Sequence, residues 1–319
     1  MAEPSPQAAD GLHDEPTQRA RLLGLAALVT AIACFGISFG VIQWPGTSGA
    51  VIAWWRLIGA SVLWWGLVFA LHRFRGRPLP SRRVWRLSIP AALASGLYIS
   101  FFFTAVTRTS VAHATFIGNL NPLLVIPAGA VFFGERPNWK ALRFGALSLV
   151  GLVIVLSFGP AGGTATVEGD LLMVLVLGFV VSFTMTSKYA RSRGVELVDF
   201  MAIMMTGGLV TATPVALVLA SDEMWPLSTK TWIAVAILWF LTGSAAHGLM
   251  YYSHKTVPVA TISVTQVGQP AVSVLAAWLI VGETISRWQL PGMALMIVGM
   301  ALVVWFSQRA PTGATGTSP

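Results

Sequence analysis

The chain has 319 residues, of which 55% are hydrophobic and only 10% charged. So few charges could not cover so much apolar surface in water, which excludes a soluble globule and leaves lipid as the solvent. The net charge of +8 does not indicate a nucleic-acid interface, because the basic residues crowd a few short links between apolar runs.

In chain order, residues 1–21 are polar, Pro-rich and of mixed charge, ending in Arg19 and Arg21. That composition predicts a disordered tail, and the apolar run behind it is too long for a cleaved signal peptide, so it is read as a retained first span. Runs close to the ~20 residues needed to cross a bilayer then recur about ten times. They are placed at 22–42, 48–71, 85–106, 111–132, 140–158, 169–188, 198–220, 231–253, 258–280 and 288–307. Residues 308–319 form a second loose tail. The single cysteine, Cys34, falls inside a span, so no intrachain disulfide can form.

The links carry the orientation. Arg73, Arg75, Arg77, Arg82 and Arg83 follow the second run, Arg136, Lys140 and Arg143 the fourth, and Lys188, Arg191 and Arg193 the sixth. Arg108, Lys230 and Arg287 fall on the other side. By the positive-inside rule the crowded side is cytoplasmic, which puts both termini in the cytoplasm; the expected location is a bacterial inner membrane.

An internal repeat fixes the architecture further. Residues 111–155 recur at an offset of 148, with Pro122, Gly134 and Glu135 falling on Pro270, Gly282 and Glu283. Extended backwards, the offset places Phe35 on Phe183 and Ser38 on Thr186, while Arg56 falls on Met204. A five-span unit crosses an odd number of times, so a second copy enters from the opposite face and the halves are inverted. The expected fold is an all-α membrane protein of about ten transmembrane helices in two inverted repeats, 22–158 and 169–307, joined by an external link at 159–168.

Two Gly-Glu corners at matching places, in FFGERPNWKALRFGALSLVG and LIVGETISRWQLPGMALMIVG, together with the arginine in the second span, resemble the EamA-type carriers of the drug/metabolite transporter superfamily. The resemblance covers residues 22–307. It implies a ten-helix carrier whose pathway is lined mainly by spans one, three, four, six, eight and nine. It leaves the substrate open among amino acids, sugars, nucleotide conjugates and other metabolites. The aromatic content of spans three and eight inclines the reading to the branch that exports aromatic and other neutral amino acids.

Candidate site residues follow from what lipid penalises. On one helix, His113, Ile117 and Asn121 would share a face, and the second repeat carries Thr261, Thr265 and Gln269 at the same positions. Polar atoms in a span either line a pathway or tie helices together. His113 and His247 can change charge near neutral pH, or can serve as neutral packing residues. Tyr98 and Phe102 in span three, with Trp239 and Tyr251 in span eight, could form an apolar box, with lipid-facing packing as the alternative. Pro122 and Pro270 free backbone carbonyls or simply bend their helices. Glu135 and Glu283 are read as helix-end architecture, the glycine at the C-cap and the carboxylate near the next helix's positive end. Arg56, a base inside a span, either holds a carboxylate or pairs with helix-end carbonyls. Trp54, Trp55, Trp64, Trp65, Trp85, Trp225, Trp232 and Trp288 are expected in interfacial belts.

Absences narrow the function. Beyond the N-terminal tail every Asp and Glu lies at a span end or in a link, which disfavours a proton-driven exporter of cationic drugs. No HExxH motif and no metal-ligand spacing occurs, so neither an enzyme nor a cofactor or metal is expected. The expected function is export of neutral, chiefly aromatic, amino acids or related metabolites by alternating access, with the small-molecule substrate and the lipid bilayer as partners and no oligomer required. The competing readings are a carrier of sugar phosphates, nucleotide sugars or drugs, and a channel or membrane scaffold.

Overall fold

The computed structural model describes residues 18–134, 143–158, 165–247, 249–250, 253 and 266–307, with only the backbone of 20, 21 and 304. All regular structure among them is helical. In order come α1 (Gln18–Gln43), α2 (Gly49–Arg75), α3 (Arg82–Arg108), α4 (Val111–Gly118), α5 (Asn121–Phe133) and α6 (Gly145–Ser157). They are followed by α7 (Val167–Ser192), α8 (Leu197–Ala220), α9 (Thr229–Phe240), α10 (Gln269–Val281) and α11 (Gln289–Ser307). Among the described residues six helical segments are long and apolar enough to cross a membrane: Leu22–Gln43, Gly49–Arg75, Arg82–Arg108, Val111–Phe133, Val167–Ser192 and Leu197–Glu223. The chain is a multi-pass membrane protein. The helix α1 starts at Gln18, one polar turn before the apolar span that begins at Leu22 and inside the stretch read from sequence as a tail.

Helices start and stop where the sequence supplies chemistry for it. Ser81, Ser110, Thr166 and Ser228 each cap the helix that follows by accepting a backbone N–H. Gly134 and Gly282 end α5 and α10 in the left-handed region, with φ of 65° and 73°, as the two corners require. The fourth run is not one continuous helix. It breaks at Asn119 and Leu120, and α5 restarts with Pro122 in its first turn, because proline lacks an N–H and disfavours a helical residue before it. His113, Ile117 and Asn121 therefore do not lie on one helical stripe. Pro270 occupies the same place at the start of α10.

Packing brings the chain's halves together. The helix α3 lies against α7 and α8, α2 against α8, α1 against α10, and α6 against α11. Small residues set these approaches, since lipid offers no hydrophobic drive and close backbones gain dispersion instead. A Cβ on Gly96 of α3 would overlap the carbonyl of Gly208 of α8, and one on Gly151 of α6 would lie 2.6 Å from the Gly292 carbonyl of α11. Hydrogen bonds reinforce the same seams: Thr211 Oγ1 donates to the Leu93 carbonyl at 2.9 Å and Ser148 Oγ to Met296 at 3.1 Å.

Several tryptophans make ties between helices. Trp54 Nε1 donates to Thr213 Oγ1 at 2.9 Å, and Trp65 Nε1 to Thr206 Oγ1 at 2.7 Å, both from α2 to α8. Trp64 is buried and donates to the Gly243 carbonyl at 3.1 Å, so it is no interfacial anchor. Trp55, Trp225 and Trp232 form an aromatic cluster near a helix end, closer to the expected belt.

Candidate functional site: a central aromatic cavity with one buried guanidinium

A cavity of about 250 Å³ lies between the two halves. Pockets for drug-sized ligands run ~300–1,000 Å³, so this one suits a single smaller metabolite. Its rings are Phe35 and Phe39 from α1, Tyr98, Phe102 and Phe103 from α3, and Phe183 from α7. They brace one another: Tyr98 stacks on Phe183 at 5.9 Å between centroids, and Phe39 meets Phe102 edge-on at 5.3 Å. Polar atoms come from Ser38, Arg56, Thr115, Asn119, Asn121, Thr242, His247 and Gln269.

The helix break between α4 and α5 positions the asparagines. It turns Asn119 and Asn121 toward the cavity, where Asn119 Nδ2, Asn121 Oδ1 and Thr115 Oγ1 have no hydrogen-bond partner among the described residues. Across from them, Gln269 and Pro270 at the start of α10 complete the wall. A second irregularity sits beyond α9, where Leu241–Ala245 winds as a π-helix. Such bulges concentrate at functional sites because they re-aim side chains and free carbonyls. Here the bulge brings Thr242 to Arg56, whose Nε donates to Thr242 Oγ1 at 3.0 Å. It also lets His247 Nδ1 meet the Thr242 carbonyl, with the imidazole edge-on to Phe35 at 5.2 Å.

The expected site residues divide accordingly. Tyr98, Phe102, Asn121, His247 and Gln269 line the cavity, joined by Arg56 and Pro270. Trp239 does not. Its ring occupies the notch left by Gly59 on α2, where a Cβ would overlap it, and it fastens α9 to α2. His113 also stands outside the wall, 3% exposed, its Nδ1 3.0 Å from Asp170 Oδ2. Tyr251, Thr265 and Glu135 lie outside the described residues. Sequence reasoning missed Thr242, Thr115 and Asn119. The Thr-Gly pair in LTGSA is the one signal that could have marked the bulge, and Asn119 stood two residues before a residue already singled out.

One end of the helix bundle, marked by Arg108, is tied shut by polar contacts. Thr109 Oγ1 donates to Asp170 Oδ1 at 2.6 Å beside the His113 pair, and Arg108 pairs with Glu168. Gln43 Nε2 reaches the carbonyls of Val106 and Thr109, both at 2.7 Å. Glu283 caps α4 from the far half: the N–H groups of Val111 and Ala112 donate to its carboxylate at 2.9 and 3.3 Å. The carboxylate of that corner thus serves another helix's N-terminus rather than the next one's. At the other end, Arg77 Nη2 lies 2.7 Å from Glu196 and 3.0 Å from Asp199. Among the described residues no group of three His, Cys, Asp or Glu could hold a metal.

Apolar helices packed around a central, ring-lined cavity are the architecture of a multi-pass membrane transporter. The chain belongs to the EamA-like transporter family, whose pattern matches it twice, at residues 22–157 and 167–305. It is 23% identical over 227 residues to protein PecM of Dickeya dadantii (strain 3937), covering 69% of this chain and 73% of PecM. It is likewise 23% identical over 220 residues to an uncharacterized transporter of Archaeoglobus fulgidus, covering 69% and 76%, and to the uncharacterized transporter YcxC of Bacillus subtilis (strain 168), covering 66% and 70%. A crystal structure with 21% identity superposes with a TM-score of 0.55, covering 91% of this chain and 98% of the other, which is a likeness of fold.

Proposed function

We propose that the protein exports small ring-bearing metabolites, neutral aromatic amino acids and their relatives, across the inner membrane by alternating access. The observation that carries this is the cavity: about 250 Å³, walled by aromatic rings, with uncommitted polar atoms on Thr115, Asn119 and Asn121. Rings supply apolar contact at low entropic cost, and the few polar atoms fix orientation. Nucleotide sugars are too large for that volume. Sugar phosphates would need several cations, and the described wall offers Arg56 and the titratable His247.

In this account the ten spans form two inverted halves, 22–158 and 169–307, with both termini cytoplasmic and the Arg108 end external. The ties at that end then hold the cavity closed to the outside, and opening requires Glu283 to leave α4 and the His113–Asp170 pair to part. The halves rock about the cavity, as expected of inverted repeats. Reconstituted liposomes offered labelled tryptophan, phenylalanine, leucine and glucose 6-phosphate, with and without a pH gradient, test the reading. It expects flux of the ring-bearing solutes above that of leucine and none of the sugar phosphate. Flux of the sugar phosphate alone would overturn it.

A further inference from the structure

The charge on the cavity wall narrows the substrate more than its shape does. Arg56 is 3% exposed, its Nη1 has no hydrogen-bond partner among the described residues, and Thr242 engages Nε. The Phe103 ring lies 5.6 Å from Cζ, which is attractive but supplies no acceptor for Nη1. No Asp or Glu is found among the described residues lining the cavity. A guanidinium buried among helices without a counter-charge is costly, and the cost falls when an anion completes its hydrogen bonds.

We infer that Arg56, oriented by Thr242, is the anion anchor of this cavity and that the preferred substrate is a ring-bearing monocarboxylate without an ammonium group. The inference rests on the carrier reading above and refines its substrate. One negative charge matches one buried positive charge. A phosphate monoester brings closer to two. A zwitterionic amino acid satisfies Arg56 through its carboxylate but carries an ammonium that would meet only neutral oxygens, on Thr115 and Asn121 among others. An aromatic amine would be repelled outright. The charge also supplies a drive. A monoanion leaves a cell whose interior is negative with the help of the membrane potential, so no coupling ion is needed. That accords with a wall holding no described carboxylate to carry a proton.

Indole-3-acetate, tryptophan and tryptamine share one ring and differ in charge, so they separate the possibilities. Each is offered as label to liposomes holding the full chain at about pH 8, where the carboxyl is ionised, with protein-free vesicles subtracted. With valinomycin and a tenfold potassium gradient, wild type should accumulate indole-3-acetate about tenfold on the positive side, the equilibrium for one charge. Tryptophan should move more slowly and without accumulation, and tryptamine not at all. Arg56→Gln should lower indole-3-acetate flux by about tenfold or more, the value of a charge-assisted hydrogen bond, and Arg56→Lys should retain part of it. Thr242→Val leaves the charge and removes its orienting oxygen; a smaller loss of the same kind is expected, which keeps the test decisive if Arg56→Gln does not fold. Tryptophan flux equal to or above that of indole-3-acetate, or flux blind to the potential, overturns the anion assignment and leaves the carrier standing. No flux of any of the three overturns both.

Discussion

Replacing Glu283 by alanine removes the carboxylate that caps α4 from the opposite half of the molecule. Two N–H groups, on Val111 and Ala112, then lose an ionised acceptor at 2.9 and 3.3 Å. Hydrogen bonds to charged groups contribute ~1.5–3 kcal/mol each when sheltered, and a charge at a helix terminus ~0.3–1 kcal/mol. Glu283 is half-exposed, and water can replace part of what is lost, so about 1–2 kcal/mol is the working figure. Spent on the closure of the Arg108 end, that shifts the open population by roughly 5–30-fold. The native Cys34 is the single cysteine, so a Cys34→Ser background with Ser38→Cys on the cavity wall gives a clean reporter. Ser38 is 4% exposed in the closed form. Its thiol should react with an impermeant maleimide from the Arg108 face 5–30 times faster in Glu283→Ala, and by an intermediate factor in Glu283→Gln, which keeps a neutral acceptor. These factors carry the ~1–2 kcal/mol above. An unchanged labelling rate with an unchanged Tm would refute the latch.

Other consequences are equally concrete. Gly59→Ala should cost ~1–3 kcal/mol by driving a methyl into the Trp239 ring, and Trp239→Ala should suppress that cost in the double variant; thermal unfolding in detergent reads both. Gly96→Val should prevent α3 and α8 from meeting, so no monodisperse protein should be recovered, whereas Gly178→Val, at a position open to the outside of its helix, should be tolerated. For His113 and Asp170, a double-mutant cycle with Gln and Asn should return a coupling of ~0.5–3 kcal/mol in stability. Additive single effects would show that the pair does not act as one.

Much of the helical organisation was legible because lipid simplifies the code. Apolar runs near twenty residues marked the long helices, and Gly134 and Gly282 announced their left-handed ends. The family resemblance was legible from the paired corners. The site was legible in residue type but not in geometry. Tyr98, Phe102, Asn121 and Gln269, which line the cavity, drew notice because polar and aromatic side chains in spans three, four and nine stand out. His113 and Trp239 were misplaced because periodicity says which face a residue shares but not which partner waits there. An aspartate 57 residues on claimed His113, and the gap at Gly59 claimed Trp239. Thr242 escaped because a π-helix inserts a residue into the register without altering composition. Glu283 was expected to serve the helix that follows it, and only tertiary contact reveals that it serves α4.

The measurement that bears most directly on the account is counterflow. Liposomes preloaded with unlabelled tryptophan or indole-3-acetate should take up a trace of the same labelled compound faster than empty ones, overshoot and then decay. Filling the cavity by Met204→Trp, on its wall, should abolish the overshoot. Uptake that is indifferent to preloading, or that survives the filled cavity, would contradict a carrier working through this site.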